Sequence, residues 1–162
     1  MTQDNYLSPA APDASTQAFT DLVWLVFRLN GTLLHWGDAL VEPLGLTGAR
    51  WQMLGVISLT ARPLTAPQIG QTMGVTRQGA QKQLNLLLEQ GLVESRPNPA
   101  HQRAPLYALT PRGHEIHEQA VTLWMERASE IASQLSPTNI RGACTMLEAM
   151  QHHLSNLKKP EI

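Results

Sequence analysis

The ten residues from Thr76 to Asn85 read TRQGAQKQLN, and in a helix they put Arg77, Gln78, Gln81, Lys82 and Asn85 on one side. Each of the five carries hydrogen-bond donors. Arginine can grip guanine with two donors, and glutamine can match adenine in the same bidentate way, so such a face can read base edges in a DNA major groove. An ordinary solvated helix face uses the same residue types. The neighbouring segments therefore decide between the two readings.

A second segment, SRPNPAHQRAP from Ser95 to Pro105, holds three prolines and places Arg96 and Arg103 near its ends. Proline limits the conformational entropy a loop loses on docking, and arginines on such a loop suit phosphates or a minor groove. Between Thr65 and Arg112 the bases Arg77, Lys82, Arg96, Arg103 and Arg112 outnumber the acids Glu89 and Glu94. This local excess matters because the 162-residue chain has a formal net charge of −1 and a pI near 6.6. Any attraction to nucleic acid must come from a patch. No glycine-rich phosphate loop, nucleophile elbow or HExxH metal motif is present, so an enzyme is not expected and no cofactor is called for.

The elements that position these residues follow from periodicity and punctuation. Apolar residues from Phe19 to Leu44 keep a helical stripe for about seven turns, closed by Pro43 and Gly45. Thr47 offers an N-cap for a second helix that ends at Arg62-Pro63. Thr65 and Gln68 form a capping box with Pro67 in the first turn, Gly74 stops that short helix, and Thr76 caps the next, which ends at Gly91. Ala80, Leu84, Leu87 and Leu88 form its inward stripe. LVESR and PLYALT then read as two short strands of a hairpin whose tip is the proline-rich segment. Thr110-Pro111 starts a long helix with His117, Ala120, Val121, Trp124, Ala128, Ile131 and Leu135 on one stripe. Ser136-Pro137 starts a last helix with Ile140, Ala143, Leu147, Met150, Leu154 and Leu157 in an a/d seam, which calls for a partner helix.

Helix, tight turn, helix and strand pair make a winged helix-turn-helix, so the fold class is mainly α with a small β-hairpin wing (α+β) and flanking dimerisation helices. From Leu46 to Gly113 the chain resembles the MarR family of bacterial transcription regulators. GLTGARWQML resembles that family's second helix, LTAPQIGQTMGVTRQGAQKQLNLLLEQGLVESR its helix-turn-helix, RPNPAHQRAPLYALTPRG its wing, and the closing LT-x-x-G is the most specific piece. The resemblance implies a homodimeric DNA-binding regulator, acting as a repressor at a pseudo-palindromic operator and modulated by a small aromatic or phenolic ligand. Its DNA contacts would be Thr76, Arg77, Gln78, Gln81, Lys82, Asn85, Arg96 and Arg103. The family wing usually reads Asp-x-Arg; here His101 stands before Gln102 and Arg103. Gln83 stands where an apolar residue is usual and Leu86 where a polar one is.

The family's ligand pocket lies between the dimerisation and DNA-binding parts. On that pattern His35, Trp36 and Trp51 are the candidate ligand residues, with Arg50 available for a carboxylate. His114 and His117, at i, i+3, with His35, Asp38 or Glu42, are candidate ligands for a metal-responsive alternative, although no metal is assigned. A second alternative is a winged-helix protein-interaction module without DNA binding. The expected division is a disordered tail over 1–15, dimerisation helices over 16–45 and 112–158, and the winged lobe over 46–111. The opening MTQDNYLSPAAPDAS lacks a basic start and an apolar core, so it does not read as a signal peptide. A single cysteine, Cys144, expected in a core or interface, excludes an internal disulfide. With no membrane span expected, a cytoplasmic location follows.

Overall fold

The computed structural model describes residues 13–60 and 62–157. Helix α1 spans Ala14–Val41 and runs into a 3₁₀ turn at Glu42–Leu44; α2 spans Gly48–Leu59, α3 Ala66–Met73 and α4 Arg77–Glu89. Strand β1 is Leu64–Thr65, β2 is Val93–Arg96 and β3 is Leu106–Leu109. Helices α5, Pro111–Ser133, and α6, Pro137–Asn156, complete the chain. Most of the expected tail, 1–12, lies outside the described residues. Its last part is helical: the Asp13 carboxylate accepts hydrogen bonds from Ser15 N (2.8 Å) and Thr16 N (3.0 Å) and caps α1, so the helix starts at Ala14. Those bonds hold the Asp13 carboxyl below its ordinary pKa.

The local signals act as their chemistry dictates. Thr47 Oγ1 accepts from Arg50 N, Thr76 Oγ1 from Gly79 N at 3.0 Å, and Thr110 Oγ1 from Gly113 N at 3.0 Å. Gln68 closes the start of α3 by accepting from Thr65 N at 2.9 Å. Gly91 has φ +68°, the left-handed conformation that lets the chain leave α4 and enter β2. Leu135 falls just beyond α5 and Leu157 just beyond α6.

The sheet has one strand more than the hairpin that the sequence suggests. Its order is β1-β3-β2, antiparallel throughout, with Tyr107 opposite Ser95 on one side and Leu64 on the other. Two residues are too few to show a period of their own, so β1 is recognisable only through its pairing. Val41, Leu54, Ile69, Leu84 and Leu87 are fully enclosed at the centre of the winged lobe. The long helices are different. Trp24 is 64% exposed and Phe27 63%, and Leu147 and Leu154 of the α6 seam are open to solvent, while α6 makes no substantial contact with the rest of its chain. Cys144 is exposed on α6. Among the described residues no helix is long and apolar enough to cross a membrane.

The tightest junction joins the winged lobe to α5. Thr110 N donates to Leu92 O (3.1 Å) and Thr110 Oγ1 donates to Gly91 O (2.7 Å), which brings the first turn of α5 onto the α4–β2 corner. A Cβ on Gly113 would overlap the Leu92 carbonyl. This backbone-to-backbone approach is the physical reason for glycine at the end of LT-x-x-G. Gly113→Ala should therefore cost about 2–3 kcal/mol in urea unfolding, the scale of overpacking against backbone that cannot give way. An alanine variant as stable as the parent would show that the junction is loose.

Candidate nucleic-acid interface

Helix α4 presents its first turns outward because Ala80, Leu84 and Leu87 tie the opposite side into the core. Arg77, Gln78, Lys82 and Asn85 are exposed, and Leu86 is exposed while Gln83 is half-buried, so the inward stripe is Ala80-Leu84-Leu87 without rotation. Thr76 carries the N-cap. Gln81 is held rather than free: its Nε2 donates to Tyr107 Oη at 2.8 Å and to Asn85 Oδ1 at 2.9 Å. The tyrosine comes from β3, so one hydrogen bond fixes the helix against the wing. Sequence reasoning missed this pair, because nothing local links positions 81 and 107.

The tip of the wing is built by Asn98. Its Oδ1 accepts from Ala100 N at 3.0 Å and its Nδ2 donates to Ala104 O at 2.9 Å, a short-range closure that asparagine between prolines makes readily. Backbone bonds from His101 N to Asn98 O and from Ala104 N to His101 O complete the turn. Asn98 thus orders the backbone of the wing tip. A concavity of about 540 Å³ opens between this tip and the helix-turn-helix, and Arg77, Gln68, His101 and Arg103 all line it. Among the described residues the ion pairs are Arg96–Glu94 and Arg127–Glu130, and neither takes up Arg77, Lys82 or Arg103.

Arg96 is not brought to that concavity. Strand parity decides this: Ser95 and Tyr107 form one cross-strand pair, and Arg96 with Glu94 points to the other side of the ribbon. There Arg96 pairs with Glu94 and lines a separate pocket of about 300 Å³ with Arg62 and His114. The structure thus places Arg96 and Arg103 at different pockets.

A third cavity, about 510 Å³, lies between α1, α2 and α5. Trp36 and Trp51 line it, as expected, together with Trp124; the rings of Trp36 and Trp51 lie 5.7 and 5.8 Å from that of Trp124. His35 and Arg50 are not among the lining residues. Each precedes a lining tryptophan by one position and so sits roughly 100° away around its helix; His35 is exposed, and Arg50 Nε donates to Thr47 Oγ1. Besides the indole N–H groups, the polar side chains lining the cavity are Gln52 and His117. Burial, then the neighbouring His114, push the His117 pKa below its ordinary value, with Glu118 opposing. His114 and His117 face different pockets, and Asp38 Oδ1 caps α2 by accepting from Gly48 N at 2.6 Å, so the proposed metal ligands do not converge.

These features define a winged helix-turn-helix protein with a polar recognition helix and an ordered wing. A family model described as the MarR family matches residues 44–104. An uncharacterized protein of Mycobacterium tuberculosis strain H37Rv is 44% identical over 115 residues, which cover 71% of this chain and 76% of the relative. The crystal structure of a MarR family transcriptional regulator from Streptomyces coelicolor superposes with a TM-score of 0.72 at 25% identity, covering 91% of this chain and 100% of that one. The M. tuberculosis transcriptional regulator MOSR, solved in complex with DNA, gives 0.67 at 25% identity, covering 83% and 98%. The chain belongs to the MarR family, whose members are transcription regulators rather than enzymes.

The Gln81–Tyr107 bond has a measurable weight. Tyr107→Phe should lower stability by about 1 kcal/mol, the usual net value of a hydrogen bond, and release the Gln81 side-chain amide. Chemical denaturation checks the first effect and side-chain amide NMR the second. A phenylalanine variant that leaves the Gln81 signals unchanged would contradict the tie between helix and wing.

Proposed function

We propose that the protein is a DNA-binding transcriptional repressor that acts as a homodimer on a pseudo-palindromic operator and responds to a small ligand. The observation that carries the proposal is the concavity shared by Arg77 and Arg103: two arginines that join no ion pair among the described residues, one at the start of α4 and one on an ordered wing tip, face the same space. In this reading α4 enters the major groove and reads bases with Arg77, Gln78, Lys82 and Asn85. Arg103 reaches the flanking minor groove or phosphates. Gln81 acts with Asn85 and Tyr107 as one polar unit, and Thr76 sets the helix start. Arg96, paired to Glu94 on the far side of the ribbon, contributes less than the other arginines.

The exposed apolar faces of α1 and α6 support a second copy as the partner, since strongly apolar helix faces are normally buried in an assembly. Such a dimer carries two copies of α4, and a two-fold operator with half-sites about one helical turn apart fits them. A ligand in the tryptophan-lined cavity would lie against α5, which the Gly113 junction couples to the wing. A coupling of about 1–3 kcal/mol between ligand and DNA is enough to change occupancy. The cytoplasm, where DNA and effector meet, is the location this function requires.

Titration of duplex DNA fragments from the source genome against ionic strength tests the reading. Affinity should fall steeply as salt rises. Arg77→Ala and Lys82→Ala should each weaken binding and flatten the log–log slope by about one unit, with thermal stability unchanged. Arg96→Ala should change it less than Arg103→Ala. No binding at low salt would overturn the DNA-binding reading in favour of a protein-interaction module.

A further inference from the structure

Gln81 offers DNA less than its residue type promises. A side-chain amide carries two N–H donors and one acceptor oxygen, and the bidentate match of glutamine to adenine needs a donor for N7 as well as the oxygen for the N6 amino group. Both donors of Gln81 are already engaged, because Nε2 donates to Tyr107 Oη at 2.8 Å and to Asn85 Oδ1 at 2.9 Å. What remains is Oε1. Among the described residues the buried side-chain polar atom left without a partner is Gln90 Oε1, so the unbonded Gln81 Oε1 is open to solvent. Gln81 lines a concavity of about 450 Å³ along the outer face of α4, together with Gln78, Lys82 and Asn85.

Both acceptors that hold the amide are themselves fixed. Tyr107 is 2% exposed and sits on the central strand β3, between Ser95 of β2 and Leu64 of β1, so its phenol has no room to swing aside. Asn85 lies one turn further along α4, at the i, i+4 spacing at which glutamine and asparagine side chains meet.

We infer, resting on the DNA-binding reading above, that Tyr107 sets which bases Gln81 can read. Held by the phenol, Gln81 is an acceptor only, and it selects a base with an exocyclic amino group in the major groove, adenine or cytosine, over guanine or thymine on the same strand. Guanine and thymine put an oxygen acceptor in that place, and two facing acceptors leave each other unsatisfied. With no donor for N7, the held amide does not separate adenine from cytosine. Tyr107 touches no base; it is a positioning residue that acts through Gln81. Removing its hydroxyl frees one N–H of Nε2 and restores the bidentate match to adenine.

The test is a base-by-base substitution scan of a bound fragment selected from the source genome, with relative affinities of the full-length protein and its variants measured by competition. Gln81→Ala locates the position, as the base pair in each half-site whose preference it flattens. There the parent should bind adenine and cytosine at least about fivefold more tightly than guanine or thymine, the lower end of what a mismatched base pair costs, and should separate adenine from cytosine by less than that. Tyr107→Phe should favour adenine over cytosine by at least about fivefold, as a bidentate pair does. Gln81→Glu, whose side chain has acceptors only, should keep adenine and cytosine ahead in both the parent and the Tyr107→Phe background; ratios between bases cancel the general repulsion of the added carboxylate by phosphates. A preference for guanine or thymine would mean that the amide faces DNA with its donors. That result, a Tyr107→Phe variant that still treats adenine and cytosine alike, or DNA binding in which Gln81→Ala flattens no position would each overturn the inference while leaving a DNA-binding regulator intact. A parent that binds no fragment would overturn the DNA-binding reading and this inference with it.

Discussion

The structure depends most on the contact between Gly113 and the carbonyl of Leu92. It seats the first turn of α5 on the corner where α4 becomes β2, and Thr110 fastens the corner from both sides by donating from its N–H to Leu92 O and from Oγ1 to Gly91 O. Backbone touching backbone leaves no side chain to rearrange, so a movement of α5 carries the β2–β3 ribbon with it. Further along the same helix lie His117 and Trp124, which face the cavity, and then Met125 and Ile131, which are exposed. One rigid element thus links the places where DNA, ligand and partner are proposed to bind.

The division of burial along the chain fits this arrangement. The winged lobe closes its own core around Leu54, Ile69, Leu84 and Leu87, and the recognition helix is held to the wing by Gln81 and Tyr107. Helices α1 and α6 leave Trp24, Phe27, Leu147 and Leu154 in solvent. A lobe that completes itself and helices that do not are what a homodimer with two independent reading heads requires. In the proposed mechanism the ligand does not touch DNA. It would lie against α5, which the junction at Gly113 couples to the wing.

How much of this was legible in the sequence follows the range of each interaction. Caps, stops and stripes are encoded within four residues of where they act. Asp13 escaped because it lies in a stretch that reads as tail, but Thr47, Thr65, Thr76, Thr110, Gly91 and the apolar stripes located the elements correctly. The polar outer face of α4 was visible for the same reason, since it is the complement of Ala80, Leu84 and Leu87. What remained hidden was set by contacts between distant segments: β1 pairing with β3, Gln81 with Tyr107, and Arg96 turned away from Arg103 by strand parity. The cavity shows the limit most clearly. The family's pocket position points to Trp36 and Trp51, and both line the cavity. Their polar companions were sought one residue away in sequence, at His35 and Arg50, whereas helix geometry supplies Gln52 and His117 instead.

The central claim is that two copies of α4 read one DNA site from adjacent major grooves. Hydroxyl-radical footprinting of the full-length protein on a fragment selected from the source genome measures it most directly. The account predicts protected patches related by a two-fold axis, with centres about one helical turn apart, and outer protection on each side where the two wings lie. A single protected patch without two-fold symmetry, or a fragment left uniformly open to cleavage, would contradict it.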